Sequence, residues 1–156
     1  MKNIILLRHA EAIPHEAKRD FDRELTQTGR LCAKNIGQRL QGLGLLPSRV
    51  LSSPALRARE TAELACEALG IAPGGISFHA GLYQADVPAL LDILNEEPPQ
   101  QCLLVVGHNP AFSECAGYLA GQPLHLDPAH AAHVVRCSEA KPIQPTNVRF
   151  QGLIAP

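Results

Sequence analysis

Two short apolar runs, Ile4-Ile5-Leu6-Leu7 and Cys102-Leu103-Leu104-Val105-Val106, contain no polar residue at alternate positions. A strand with one face in water reads as alternating apolar and polar residues, whereas an unbroken run suits a strand covered on both faces. Arg49-Val50-Leu51-Ser52 is a weaker third run. Between the runs, apolar residues fall at helical spacing: Ala33, Ile36, Leu40 and Leu43, then Ala58, Ala62, Ala65 and Leu69. Thr26 is placed to cap the first helix, Gly42 or Gly44 to end it, and Gly70 to end the second. A third helix is expected over about 87–95, capped by Asp86 and stopped before Pro98-Pro99. Strands alternating with helices through right-handed crossovers predict an α/β fold. Its expected form is a three-layer sandwich, a mainly parallel central sheet with helices on both faces. Beyond about residue 121 the pattern weakens. Segments 133–137 and 147–151 are expected as late strands, and Pro123, Pro128, Pro142 and Pro145 predict that much of the rest is irregular.

At 156 residues the chain is expected to form one domain, 1–156. Fourteen Lys+Arg against fifteen Asp+Glu give a net charge of −1, which argues against a polybasic nucleic-acid binder and against an acidic tail. Aromatics are 4% with no Trp, so base stacking is not expected either. Four apolar residues before Arg8 are too few for a secretory h-region of about 7–15 or a transmembrane helix of about 20. No membrane association is expected. The five cysteines, Cys32, Cys66, Cys102, Cys115 and Cys137, are odd in number, widely spaced and mostly among apolar neighbours. They read as buried thiols in a reducing compartment, the cytoplasm by default.

Polar residues of one kind collect just after the strands. Arg8-His9 ends the first; Ser52-Ser53-Pro54 and then Arg57 follow the second; Gly107-His108-Asn109-Pro110 follows the third. In an open parallel sheet, ligands bind outside the carboxyl ends of the strands. Two arginines and two histidines would therefore meet at one edge, with helix N-termini after Ser53 and Asn109 adding backbone N–H groups. Paired guanidinium forks match the oxygens of a phosphoryl dianion. Each element has a plain explanation alone: a surface Arg-His pair, an Asn N-cap with Pro at N1, an exposed helical Arg57. Their common place just beyond successive strands favours a phosphoryl site.

These residues also resemble a known family. Leu7-Arg8-His9-Ala10-Glu11-Ala12 resembles the L-R-H-[GA]-E signature of the histidine phosphatase superfamily, also called phosphoglycerate-mutase-like. Residues Ser53-Pro54-Ala55-Leu56-Arg57-Ala58-Arg59-Glu60-Thr61 are similar to its S-P-x-x-R-A-x-x-T segment. Val106-Gly107-His108-Asn109-Pro110 resembles the G-H-N-P form found in small SixA-type phosphohistidine phosphatases. Arg23-Glu24-Leu25-Thr26-x-x-Gly29 resembles the R-x-L-T-x-x-G element of that branch. The resemblance spans about residues 3–120 and implies a phosphoglycerate-mutase-like fold. It implies that His9 is the nucleophile, with Arg8, Arg57 and His108 holding the phosphoryl oxygens. Arg23 would be an outer contributor to substrate binding, with Asn109 and Ser53. No cofactor and no metal are required by this scheme. Nearby arginines are expected to lower the His9 pKa and keep its imidazole neutral.

One departure bears on the substrate. Larger members carry a general-acid Glu in an L-x-E segment, but His79-Ala80-Gly81-Leu82-Tyr83-Gln84-Ala85-Asp86 contains none. An alkoxide leaving group needs such an acid, whereas the imidazole of a protonated phosphohistidine leaves neutral. The expected substrate is therefore a histidine-phosphorylated protein or a small phosphoramidate. Glu11 and Asp86 are the candidate substitute acids, although Asp86 reads first as an N-cap. The alternatives are a small-molecule phosphomonoesterase or anhydride hydrolase of the same superfamily, and a non-catalytic phosphate-binding module. A second departure is Pro128-Ala129-His130-Ala131, where the small branch has Thr or Ser before Ala, which leaves the tail's part in the site open. His125, His130 and His133 offer a His-x-x-His pair, but no Cys or carboxylate is spaced to complete a metal site.

Overall fold

The computed structural model describes residues 2–156. Strand β1 (Lys2–Arg8) leads into helix α1 (Gln27–Gly42), followed by β2 (Arg49–Ser52), α2 (Leu56–Ala68), β3 (Ile76–Phe78) and α3 (Val87–Glu96). Then come β4 (Cys102–Gly107), α4 (Ala111–Ala120), β5 (Ala131–Arg136) and β6 (Val148–Ile154). The six strands form one sheet in the order β3-β2-β4-β1-β5-β6. β3, β2, β4 and β1 run parallel, and β5 pairs antiparallel with both β1 and β6.

The unbroken apolar runs are the central strands, and successive side chains serve opposite layers. Ile4 and Leu6 of β1, with Leu103 and Val105 of β4, pack on Leu90, Ile93 and Leu94 of α3 and Phe112 and Leu119 of α4. Ile5 and Leu7, with Leu104 and Val106, pack on Ile36 and Leu40 of α1 and Ala58, Ala62 and Ala65 of α2. The helices therefore cover both faces, as the lack of alternation requires.

The helix signals act as their chemistry suggests. The Thr26 hydroxyl oxygen accepts the Gly29 N–H at 3.0 Å, and Asp86 Oδ1 accepts the Ala89 N–H at 2.9 Å. α1 ends at Gly42, with Gly44 left-handed at φ +72°, and Gly70 takes φ +75° beyond α2. α4 differs by one residue: Pro110, not Asn109, occupies the N-cap position. Asn109 still caps from one place further back, its Oδ1 accepting the Ser113 N–H at 3.1 Å.

The tail is more regular than its prolines imply. Residues 131–136 and 148–154 are strands, and the prolines lie outside them. Between them, buried Asn147 donates through Nδ2 to the carbonyls of Ser138, Lys141 and Pro142. That side chain fixes a loop which has no ladder of its own. β3 was not expected; three residues are too short for a periodicity to register.

Gly29 explains one element of the sequence pattern. A Cβ there would collide with the Glu11 carbonyl oxygen, which lies against the first turn of α1. A Cβ on Gly42 would meet nothing within 4 Å. Gly29→Ala should therefore lower stability by about 1–3 kcal/mol through overpacking. Gly42→Ala should be neutral or stabilising by up to about 1 kcal/mol through helix propensity. Denaturant midpoints of the two variants give the comparison, and equal midpoints would refute it.

Candidate active site

β1, β4 and β2 are neighbours and point the same way, so the residues after them meet at one sheet edge. His9 follows β1 directly, and its N–H donates to the Gly107 carbonyl at 3.0 Å. His108 follows β4, and the two imidazole rings lie 5.2 Å apart, centroid to centroid. His9 is 9% exposed, His108 7% and Arg57 6%.

The His9 tautomer is set by its neighbour. Nδ1 lies 2.7 Å from the Ala10 carbonyl oxygen, which can only accept, so Nδ1 carries the hydrogen. Nε2 then holds the lone pair. Burial pushes the His9 pKa down to about 4; the Ala10 hydrogen bond opposes this, and Arg57, Arg8 and Arg23 add to it. The arginines lower it as expected, and desolvation is the larger cause. Burial likewise takes His108 down to about 3, with His9 and Arg57 adding to the fall. Both rings are neutral at pH 7.

Ser53 and Asn109, expected among the substrate-binding residues, also make hydrogen bonds within the protein. Ser53 is fully buried, and its Oγ lies 2.7 Å from His108 Nε2 while accepting the Ala55 N–H at 3.2 Å. It supports His108 from behind. For Asn109, Nδ2 donates to the Leu126 carbonyl at 2.9 Å, and Oδ1 accepts from Ser113. The Arg8 guanidinium donates through one terminal nitrogen to that same Leu126 carbonyl at 2.9 Å. Arg8 Nε, Arg57 Nε and His108 Nδ1 are buried without a partner. Three unsatisfied polar atoms on the residues around one neutral imidazole are what an anion-binding pocket provides, since leaving them buried and unpaired is costly.

Thr61, which closes the S-P-x-x-R-A-x-x-T segment, was assigned no role from sequence, and Tyr83 and Asp20 carried too little signal to be singled out. Thr61 accepts the Ala10 N–H at 2.9 Å and donates to the Arg57 carbonyl at 2.7 Å, tying β1's end to α2. Tyr83 stands edge-on to His108, ring centroids 5.7 Å apart, and the Arg57 guanidinium lies 5.9 Å from its ring. Asp20 accepts from Tyr83, Arg57 and Arg23. Partial burial pushes the Asp20 carboxyl up, but these donors outweigh it and hold the group at about 2. The candidate acids lie in structural roles: Glu11 accepts the Thr26 hydroxyl at 2.8 Å, and Asp86 caps α3. The tail histidines go to separate partners, His133 to Asn3, His130 to the Pro128 carbonyl and His125 to Asp127. Among the described residues no three His, Cys, Asp or Glu side chains gather as a metal set.

With this geometry in view, residues 4–83 match the profile of the Histidine phosphatase superfamily (branch 1). The chain belongs to that superfamily. A chloroplastic protein of Arabidopsis thaliana is 30% identical over 99% of this chain and 78% of its own length. The solved chain assigned as the phosphohistidine phosphatase SixA of Agrobacterium tumefaciens superposes with a TM-score of 0.83 at 26% identity, covering 99% of this chain and 98% of that one. One assigned likewise from Nakamurella multipartitia gives 0.80 at 28%, covering 99% and 96%. The six-stranded sheet with its four helices is the phosphoglycerate-mutase-like fold of these neighbours, and the chain is a SixA-type member of the histidine phosphatase superfamily.

The depressed histidines couple stability to pH. A histidine ordinarily near 6.5 but near 4 when folded binds more protons unfolded throughout that window. Stability should therefore fall as pH drops from 6.5 to 4, by up to about 3 kcal/mol from His9 alone. Melting curves across that range should show the slope, and His9→Gln should flatten it. An unchanged slope in the variant would remove His9 as its source.

Proposed function

We propose that the protein is a phosphohistidine phosphatase working through a covalent phosphohistidine on His9. The observation that carries this reading is a buried, neutral His9 with Nδ1–H tied to the Ala10 carbonyl and ringed by Arg8, Arg57 and His108. The free Nε2 lone pair attacks the phosphorus of the substrate. The bond from phosphorus to the leaving nitrogen breaks, and that nitrogen keeps the electron pair. An imidazole protonated on its other nitrogen departs neutral. Water then cleaves the phosphorus–Nε2 bond, releasing inorganic phosphate and restoring His9. Arg8, Arg57 and His108 hold the phosphoryl oxygens, where positioning and electrostatics supply most of the acceleration. The guanidiniums provide the positive charge, so the scheme needs no metal. Arg23 acts from outside, through Asp20.

The substrate class follows from the missing acid. Asp20 is ionised, the Tyr83 hydroxyl is committed to it, and Glu11 and Asp86 are engaged elsewhere. The reading is therefore a phosphoramidate bond, on a histidine-phosphorylated protein or a small molecule. Free thiols at all five cysteines suit a reducing compartment, and we place the protein in the cytoplasm.

His9→Ala should abolish turnover with the fold intact, and a labelled phosphodonor should leave label on His9 of the wild type. Label on Ser or Cys would refute the nucleophile. Arg8→Ala and Arg57→Ala should each weaken vanadate binding by at least about tenfold, the loss of a charge-assisted contact. Arg59→Ala should change it little, because Arg59 is exposed and pairs with Glu63.

Leaving-group dependence separates the substrate classes. Phosphohistidine and p-nitrophenyl phosphate should exceed a simple alkyl phosphate by at least about 10²–10⁴-fold, the usual contribution of general acid catalysis. Equal rates would move the protein among general phosphomonoesterases.

A further inference from the structure

Asp20 lies in a single 3₁₀ turn, Asp20–Asp22, yet its carboxylate accepts from three site residues, Arg23, Arg57 and Tyr83. Its Oδ1 accepts from Arg23 Nε at 3.1 Å and from an Arg23 terminal nitrogen at 3.0 Å. The other oxygen, Oδ2, accepts from Arg57 at 3.1 Å and from the Tyr83 hydroxyl at 2.6 Å, while the Asp20 carbonyl accepts the second Arg57 terminal nitrogen at 2.7 Å. His15 Nδ1 approaches Oδ1 at 3.4 Å. Both ends of the Arg57 fork are thus held by one residue, and the remaining buried nitrogen, Nε, has no partner.

We propose that Asp20 is a positioning residue, which locks the Arg57 guanidinium so that its free Nε–H is presented to the phosphoryl group on His9. The inference rests on the phosphatase reading above. A long side chain loses rotamer freedom when it binds, and a fork already clamped at two points has little left to lose. The carboxylate also sets the charge of the pocket. Three guanidiniums, from Arg8, Arg23 and Arg57, less one carboxylate leave two positive charges, the complement of a phosphoryl dianion.

The test is a double-mutant cycle on p-nitrophenyl phosphate turnover, with inorganic phosphate affinity measured alongside. Asp20→Asn should lower kcat/KM at least about tenfold and weaken phosphate, because Arg57 loses its charged clamp. In an Arg57→Ala background the same change should cost less than about threefold, since coupled residues are non-additive. Asp22→Asn, on the same turn but paired only with exposed Arg19, should leave activity unchanged. If Asp20→Asn proves unstable, Tyr83→Phe removes one donor from the same carboxylate, and its loss should likewise shrink without Arg57.

Equal losses in both backgrounds would reduce Asp20 to a structural part and overturn the inference. Tighter phosphate binding in Asp20→Asn would make it a competitor for Arg57 and overturn it too. A wild type that turns over substrate while Asp20→Asn is unaffected would sink this inference alone. A wild type that binds no phosphate would sink the phosphatase reading with it.

Discussion

An imidazole that must stay neutral inside a ring of positive charge is the condition on which the site depends. Burial favours the uncharged form of His9, and the Ala10 carbonyl decides which nitrogen keeps the hydrogen. That bond does not act alone. The N–H of Ala10 goes to Thr61, and Thr61 passes the constraint on to the Arg57 carbonyl. One residue, Ala10, therefore ties the His9 ring through its C=O and the first turn of α2 through its N–H. The Thr that closes the S-P-x-x-R-A-x-x-T segment has its reason here, and so has the Ala of that segment, since Ala58 is fully buried against the sheet.

The same economy holds at His108. Ser53 stands at the end of β2 and supports a ring at the end of β4, so two parallel neighbours in the sheet become one rigid support. Sheet order sets this distance. A shift of register between β2 and β4 would leave the Ser53 hydroxyl opposite the wrong residue, and His108 would lose its hydrogen bond to that hydroxyl. The Ser53-Pro54 turn just ahead of α2 thus also serves as a bracket for the second histidine.

Much of this was legible in the chain because it lies where strands end. Arg8-His9, Ser53 to Arg57 and Gly107-His108 could be placed together once β1, β2 and β4 were recognised by their lack of polar alternation. Asp20 and Tyr83 could not. They meet 63 residues apart in sequence, one on a short 3₁₀ segment and the other just after one, and neither segment has a periodicity. The Leu126 carbonyl was beyond reach for another reason, because a main-chain acceptor has no residue type to announce it. β6 was legible only in part, as 147–151: along it, burial alternates at a sheet edge, and it runs on to Ile154 while Pro145 just ahead of it predicted an irregular segment.

The connection after α4 is the segment that closes the pocket from below. Ala129, left-handed at φ +62°, directs its N–H to the carbonyls of both Arg8 and His9, and the His130 carbonyl receives the Arg8 N–H. Leu126 meanwhile steadies Arg8 and Asn109. The main chain around His9 is therefore completed by residues about 120 positions downstream. During synthesis β1 emerges first, but His9 gains its full setting only when the last quarter of the chain has docked. Until then the main-chain hydrogen bonds around Arg8 and His9 lack their partners, so the site cannot be assembled piecemeal.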